Sequence, residues 1–237
     1  MTNYHATVTP ASELSDQIRR QMQQLYFRYY DGSDEQTFQH DVESKTDAVL
    51  LRSGTKLAGF TMLHQYQHVL SSGPIQVIYS GDTVVDRPHW GQNTLASLCI
   101  ERMGQYSQLT DLPVYWFLLV KGHRTYRYLS AYCKSFYPHW SIDRSDLKPL
   151  ADELAIQKFG SAYNSDTGVV EFSPSKGHLN ERAAHPIERH LEKPEVRFFV
   201  ERNPRYVNGH ELVCISELDD QNLKPLTRRL FRRGWRV

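Results

Sequence analysis

Hydrophobic residues recur at helical spacing over 11–30, which predicts an amphipathic helix near the start of the sequence. A second, short helix follows, with Ser33 or Asp34 available as its N-cap. The pattern then changes to the alternation that is typical of strands, and the segments 46–52 and 57–67 predict a β-hairpin. We expect this hairpin and the strand that follows it to form a three-stranded antiparallel meander.

The stretch 75–103 joins a strand to a helix through a polar turn. Its first part, 75–85, is rich in β-branched residues and ends before Pro88, which has no N–H for a sheet ladder. After Gly91 the apolar residues return to helical spacing. A strand that leads through such a turn into a helix directs backbone N–H groups at one place. That arrangement suits a phosphate or a pyrophosphate.

The apolar run 112–120 predicts a strand that is buried on both faces. Because it follows a helix, we expect it to pair in parallel with the strand at 75–85 through a right-handed crossover. Helices are predicted next at 125–136, with Tyr132 facing inward, and at 149–159.

The C-terminal part of the chain is more mixed. The segment 160–191 is polar and lacks a sustained period, which predicts an irregular cover with one helix around 181–191. Strands at 196–201 and 211–216 are predicted to form a β-hairpin, and a basic terminal helix is predicted to begin at 222.

Together these elements predict an α/β fold (mixed α+β) in which helices flank a mixed central sheet. We divide the chain into a core domain over 1–148 and a C-terminal extension over 149–237 that packs on the core. The 237 residues, of which 40% are hydrophobic and 23% charged, suffice for one large domain with an appendage.

Net charge and cysteine content exclude several function classes. A formal net charge of +1 gives no overall attraction to nucleic acid or membrane, so we expect neither as a partner. The first residues lack the features of a secretory signal, and no apolar run approaches the roughly 18 residues of a membrane helix, so we expect a cytoplasmic protein. The three cysteines show no CxxC spacing, and His64 and His68 would lie about 13 Å apart on a strand. We therefore predict no metal.

The order of the elements resembles the GNAT (Gcn5-related N-acetyltransferase) superfamily over roughly residues 14–138. Members carry a turn of the form [RQ]-x-x-G-x-[GA] after their fourth strand, and its amides hold the pyrophosphate of CoA. Here the turn spans 87–95, and Gly91 keeps the first glycine. The resemblance implies a GNAT-like acyl-CoA N-acyltransferase fold with acetyl-CoA or another acyl-CoA as co-substrate. It also implies that the backbone of Val84 and Val85 binds the pantetheine arm. The residues that it assigns to the pyrophosphate are Trp90, Gly91, Gln92, Asn93 and Thr94.

Other residues are candidates for the chemistry. Members show N-x-x-A-x-x-x-Y-x-x-x-G-F on the helix after the fifth strand, and this chain keeps the tyrosine at Tyr132. The resemblance implies that Tyr132 protonates the leaving thiolate, which the comparable pKa values of phenols and thiols allow. Asp82 is our candidate base, with a hydrogen-bonding role in a bulge or turn as the alternative. His123 and Arg124 follow the doubly buried strand and are candidates either to bind an anionic group of the substrate or to cap the next helix.

We therefore predict an acyltransferase that moves an acetyl or longer acyl group from CoA to an amine by direct attack. The acceptor is a small molecule or a protein, and acyl carrier protein is an alternative donor. The alternative function is a non-catalytic GNAT-like module that binds an acyl ligand or a protein partner. The sequence specifies neither the acceptor nor the oligomeric state.

Overall fold

The computed structural model describes residues 3–185 and 188–236, in two compact units. The first unit comprises Met1–Arg28, Asp34–Trp116 and Pro225–Val237, and the second comprises Tyr29–Ser33 and Phe117–Lys224. The division into a core over 1–148 and an extension over 149–237 stays a prediction.

The described residues contain both strands and helices. The strands are β1 (Tyr4–Pro10), β2 (Tyr30–Asp31), β3 (Asp47–Ser53), β4 (Lys56–Leu70), β5 (Gly73–Val85), β6 (Val114–Val120), β7 (Tyr163–Asn164), β8 (Val169–Val170), β9 (His178–Leu179) and β10 (Glu211–Glu217). The α-helices are α1 (Asp16–Tyr26), α2 (Glu35–Glu43), α3 (Thr94–Gln108), α4 (His123–Tyr132), α5 (Lys148–Phe159), α6 (Glu181–Ala184), α7 (Glu188–Leu191), α8 (Pro194–Arg202) and α9 (Pro225–Arg233).

The first unit is built on the antiparallel strands β1, β3, β4 and β5, in that order. The predicted meander is therefore confirmed as β3, β4 and β5. Strand β1 was not predicted; it pairs with β3 from Tyr4↔Ser53 to Pro10↔Asp47. Four successive residues of β3, 48–51, are buried, so both faces of the sheet are covered at this strand.

Strand β6 follows β5 in the strand order. The backbone N–H of Gln76 donates to the carbonyl of Pro113 (2.9 Å), and the indole N–H of Trp116 donates to the Ser80 hydroxyl (2.7 Å). These two contacts advance in the same direction along both segments. That is the arrangement of the parallel pair that the sequence predicts.

Side-chain caps begin the first two helices, α1 five residues later than the start of the predicted segment 11–30, and α2 at Asp34, one of its two predicted caps. The Ser15 hydroxyl accepts the N–H of Ile18 at the start of α1, and the Asp34 carboxylate accepts the N–H of Thr37 at the start of α2. Each cap satisfies one of the backbone donors that a helix leaves unpaired at its N-terminus.

Helix α3 is held against the sheet and against α9. The Arg102 guanidinium and the Tyr106 hydroxyl both donate to the buried carboxylate of Asp47, with an Arg102–Asp47 distance of 2.6 Å. On the α9 side, Gly104 lies so close to the backbone of Phe231 that a side chain at 104 would clash with it. Both contacts fix the helix that begins at the predicted turn.

In the second unit, the order of strands is β6, β10, β8 and β7, and β2 pairs with β9. The predicted strand at 211–216 is confirmed as β10, and the helix at 149–159 as α5. The predicted helix around 181–191 corresponds to α6 and α7, with residues 186 and 187 outside the described residues. Helix α9 begins at Pro225 rather than at 222, and Val237 lies outside the described residues.

The predicted strand at 196–201 is wrong, because this segment belongs to helix α8. Pro194 stands in the first turn of the helix, where its missing N–H costs nothing, and Glu195 complements the positive end of the helix dipole. Val196 and Phe199, one turn apart, are both fully buried. The predicted hairpin is therefore absent, and β10 pairs with β8 instead.

Helix α4 begins two residues earlier than predicted and ends four residues earlier, at Tyr132. It stops there because the chain pairs with another segment: Cys133 forms a β-bridge with Leu223, and the N–H of Lys134 donates to the carbonyl of Asn222. The buried tyrosine of this helix is Tyr126, whereas Tyr132 is partly exposed.

Candidate functional site

A β-bulge interrupts β5 shortly before its end. Phe60 pairs with Val84 and Met62 pairs with Gly81, so Asp82 and Thr83 both stand opposite Thr61. The Thr61 hydroxyl bridges the bulge, with the Thr83 hydroxyl at 2.7 Å and the carbonyl of Gly81 at 3.4 Å. Such a bulge bends and twists the strand and redirects the residues that follow it.

Asp82 is the bulged residue, and among the described residues it is the non-glycine residue with positive φ (+50°). Its carboxylate lies 3.4 Å from the ammonium of Lys45, whose side chain is only 3% exposed. Lys45 also donates to the carbonyl of Asp41, near the C-terminal end of α2 (3.0 Å). Asp82 therefore occupies the bulge of its alternative predicted role and remains the candidate base. It is ion-paired to Lys45, which the sequence analysis did not identify.

The turn that follows β5 is braced by its own side chains and by neighbours in the first unit. Asp86 accepts the N–H of Arg87 and forms an ion pair with Arg28 (2.9 Å), and the Tyr4 hydroxyl lies 3.0 Å from Nδ1 of His89. These contacts brace the turn without a ligand, and bracing of this kind lowers the ordering cost of binding.

Trp90 and Gly91 form the exposed part of this turn. The Trp90 indole N–H donates to the carbonyl of Val85 (2.7 Å), while the residue remains 40% exposed. Gly91 has a φ of +89°, and a side chain there would meet no atom within 4 Å. The turn thus combines a left-handed glycine with open space beside it, as close approach of a ligand to the backbone requires.

The N-terminus of α3 lies directly after the turn. Asn93 is the N-cap residue, but its side chain makes no cap hydrogen bond, and Thr94 opens the helix. The side-chain carbonyl of Gln92 instead accepts the N–H of Leu95 (3.2 Å). The first turn of α3 contains no acidic residue. Its dipole therefore favours an anion, and one of its amides is already capped by Gln92.

Val84 and Val85 end the bulged strand as predicted. Val84 is buried and Val85 is partly exposed. Both pair with β4, where Val84 faces Phe60 and Val85 faces Gly59. A side chain at Gly59 would lie 2.8 Å from the carbonyl oxygen of Val84, so this glycine permits the close approach of the two strands.

Three predicted residues lie in the second unit. Tyr132, the last residue of α4, stacks on Tyr128 with ring centroids 5.8 Å apart. His123 opens α4 and is 1% exposed, with no hydrogen-bond partner for either ring nitrogen among the described residues. Burial, and then Arg124 and His190, lower the pKa of His123 to about 3. Arg124 donates to the carbonyl of Ala183 (2.7 Å).

These observations modify the predicted roles of His123 and Arg124. The imidazole of His123 is neutral near pH 7 and buried, so it is not an exposed group for an anionic substrate. Arg124 is engaged with the chain itself and is the second residue of α4. Substrate binding by these two residues stays a prediction.

Neither a metal centre nor a membrane span appears in the part of the chain that the structure describes. No group of three or more His, Cys, Asp or Glu residues in 3–185 and 188–236 is arranged to hold a metal ion. Within the same residues, no helix is both long and apolar enough to cross a bilayer.

No protein-family model matches the sequence, and no curated protein matches it. Several solved structures resemble the chain. One is a conserved protein from Enterococcus faecalis described as a probable N-acyltransferase (10% identity, TM-score 0.42, 65% of this chain and 44% of that one). Others are FeeM, an N-acyl amino acid synthase from uncultured soil microbes (15%, 0.39, 55% and 79%), and Escherichia coli ElaA (15%, 0.39, 57% and 88%).

The chain spans less than half of the length of the Enterococcus protein that it matches. The topology of the chain itself is informative, with an antiparallel meander, a connection from β5 through a turn into α3, and β6 beside β5. This topology confirms the mixed α/β architecture that the sequence predicts, in the element order on which the resemblance to the GNAT superfamily rests.

Proposed function

We propose that the protein is a CoA-dependent acyltransferase that transfers an acetyl or longer acyl group to an amine. The observation that carries the proposal is the continuous path from the bulge at Asp82 through the braced turn to the N-terminus of α3. A diphosphate needs backbone donors, positive potential and room, and these three features coincide at Gly91.

The residues of the turn fit the diphosphate of CoA. The positive end of the α3 dipole, the absence of acidic residues in its first turn, and the guanidinium of Arg87 all favour an anion. Under this proposal Trp90, Gly91, Gln92, Asn93 and Thr94 surround the diphosphate. The backbone of Val84 and Val85 then hydrogen-bonds the pantetheine arm.

Acyl transfer proceeds by direct attack of the amine on the thioester. The C–N bond forms, the C–S bond breaks, the amine loses a proton to Asp82, and the thiolate gains one from Tyr132. The Asp82 carboxylate, 3.4 Å from the ammonium of Lys45, is the proton acceptor in this proposal. Burial raises the pKa of Cys133 to about 12 and also raises that of Cys214, so neither thiol is a nucleophile near neutral pH.

The acceptor is an amine of a small molecule or of a protein, and acyl carrier protein is the alternative donor. The proposal also includes a cytoplasmic location, a core domain over 1–148 and a C-terminal extension over 149–237. One observation favours the alternative function, a non-catalytic module that binds an acyl ligand or a protein partner. The side chain of Gln92 already occupies the N–H of Leu95 and competes there with a phosphate oxygen.

Thermal unfolding in the presence of acetyl-CoA and longer acyl-CoAs tests the proposal, because a ligand of the folded state raises the midpoint. Release of free CoA over a panel of amines is then measured. We expect stabilisation by at least one acyl-CoA and amine-dependent thiol release. Stabilisation without thiol release would favour the binding module, and no stabilisation by any acyl-CoA would contradict both the enzyme and the acyl-ligand module.

A further inference from the structure

Trp90 combines exposure with a fixed orientation. Trp90 is a large aromatic residue that is 40% exposed, so it leaves apolar surface in water beside the candidate site. The hydrogen bond from its indole N–H to the carbonyl of Val85 (2.7 Å) restrains the ring. A restrained, exposed indole is a surface on which a planar ligand group stacks at low entropic cost.

The surroundings of Trp90 indicate the ligand. The guanidinium of Arg87 lies 5.9 Å from the centroid of the Trp90 ring. Gly91, with its open space, is the next residue, and the α3 N-terminus follows three residues later. A planar group that stacks on Trp90 therefore lies beside groups that favour negative charge. This combination suits a purine nucleotide, in which a base and phosphates are joined through one ribose.

We propose that the exposed face of Trp90 stacks the adenine base of CoA, and that Arg87 contacts a phosphate of the same nucleotide. The inference rests on the proposed function and specifies which part of the co-substrate this turn recognises. Stacking of a base on an aromatic side chain changes affinity by roughly 5- to 150-fold.

The chain provides a matched control for Trp90. Trp235 is 39% exposed, its indole N–H donates to the Ser107 hydroxyl (3.2 Å), and Arg232 lies 5.6 Å from its ring centroid. It contacts the C-terminal half of α3, away from the turn. Trp90 and Trp235 thus share exposure, anchoring and a neighbouring arginine, and only Trp90 adjoins the turn.

Calorimetric titration of wild type, Trp90→Leu, Trp90→Phe and Trp235→Leu with three ligands tests the proposal. The ligands are CoA, adenosine 3′,5′-bisphosphate and pantetheine, which lacks the nucleotide. We expect Trp90→Leu to weaken CoA and the bisphosphate by roughly 5- to 150-fold and to leave pantetheine unchanged. Trp90→Phe keeps an aromatic ring and should lose less affinity for CoA and the bisphosphate. Trp235→Leu should bind all three ligands like the wild type.

Equal CoA affinity in wild type and Trp90→Leu would overturn the stacking inference and leave the proposed function standing. An equal loss for pantetheine and the bisphosphate would also overturn it, since Trp90 would then act only by bracing the turn. Absence of CoA binding to the wild type would overturn the proposed function itself. If Trp90→Leu fails to fold, the fluorescence difference between wild type and Trp90→Phe reports Trp90 alone. The bisphosphate must quench that signal, and no quenching would contradict the inference.

Discussion

Replacement of Gly104 by alanine tests how firmly α9 holds the helix that carries the candidate site. A Cβ atom at 104 would lie 2.8 Å from the carbonyl carbon of Phe231 and closer still to the carbonyl oxygen. Apolar carbon atoms prefer separations of about 3.5–4.0 Å, so the backbone of α9 must retreat by about 1 Å or more. The obstacle is backbone rather than the end of a flexible side chain, and rotamer changes do not relieve it.

The size of the expected destabilisation follows from the side chains that α9 buries. Leu230 and Phe231 are both buried, and exposure of each side chain costs about 1.5–3 kcal/mol. Loss of α9 docking therefore costs about 3–6 kcal/mol, and the better helix propensity of alanine returns about 1 kcal/mol. We expect Gly104→Ala to lower the free energy of unfolding by about 2–5 kcal/mol.

Denaturant unfolding followed by circular dichroism measures this change, with Ser97→Ala in the same helix as the control. The control should stay within about 0.5 kcal/mol of wild type. A Gly104→Ala protein as stable as the wild type would refute the close packing of α3 and α9. The Gly234→Ala variant repeats the test from the other side, because a side chain there would lie 2.9 Å from the backbone nitrogen of Gln105.

Three further substitutions address the chemistry and the buried histidine. Asp82→Asn should slow turnover by about 100-fold or more and leave acetyl-CoA affinity unchanged. Asp41→Asn removes the exposed carboxylate beside Lys45 and should not slow turnover. Equal turnover rates in the two variants would contradict the assignment of Asp82 as the base. Tyr132→Phe should likewise slow turnover and preserve CoA binding, with Tyr128→Phe as its stacked control; unchanged turnover would remove Tyr132 from the mechanism. The folded protein holds the pKa of His123 at about 3, below the ordinary 6.5. Between pH 3 and 6.5 the unfolded chain therefore binds more protons than the folded protein, and the free energy of unfolding should fall as the pH is lowered through this range. Urea titrations across this range should show a shallower fall for His123→Phe, and an unchanged slope would contradict the buried, neutral state.

The elements that the sequence predicts well are those with local signals. The β3–β4 hairpin shows alternation around a glycine turn, and the Asp34 cap of α2 lies next to the helix that it begins. Strand β1 was missed because seven residues of mixed polarity at the sheet edge show little periodicity. The sequence of α8 alone predicts a strand. The helix is explained by the burial of Val196 and Phe199, which lie one helical turn apart.

Some features of the candidate site could be predicted from local sequence signals, and others could not. The glycine turn and the helix after it were visible in the sequence, since Pro88 and Gly91 interrupt the apolar pattern. Lys45 was not, because its partner Asp82 is distant in the chain and a single lysine after a helix has no distinctive pattern. The anchored ring of Trp90 was equally invisible, since its orientation depends on one hydrogen bond to the carbonyl of Val85.

The most direct test of the central claim is the calorimetric titration of acetyl-CoA into wild type, Gly91→Val and Gly54→Val. Both glycines have positive φ and open space around them, at +89° for Gly91 and +59° for Gly54, so each valine imposes backbone strain without a steric clash. Only Gly91 adjoins the N-terminus of α3. We predict that wild type and Gly54→Val bind acetyl-CoA and that Gly91→Val does not. Binding by Gly91→Val with wild-type affinity, or no binding by the wild type, would contradict the account.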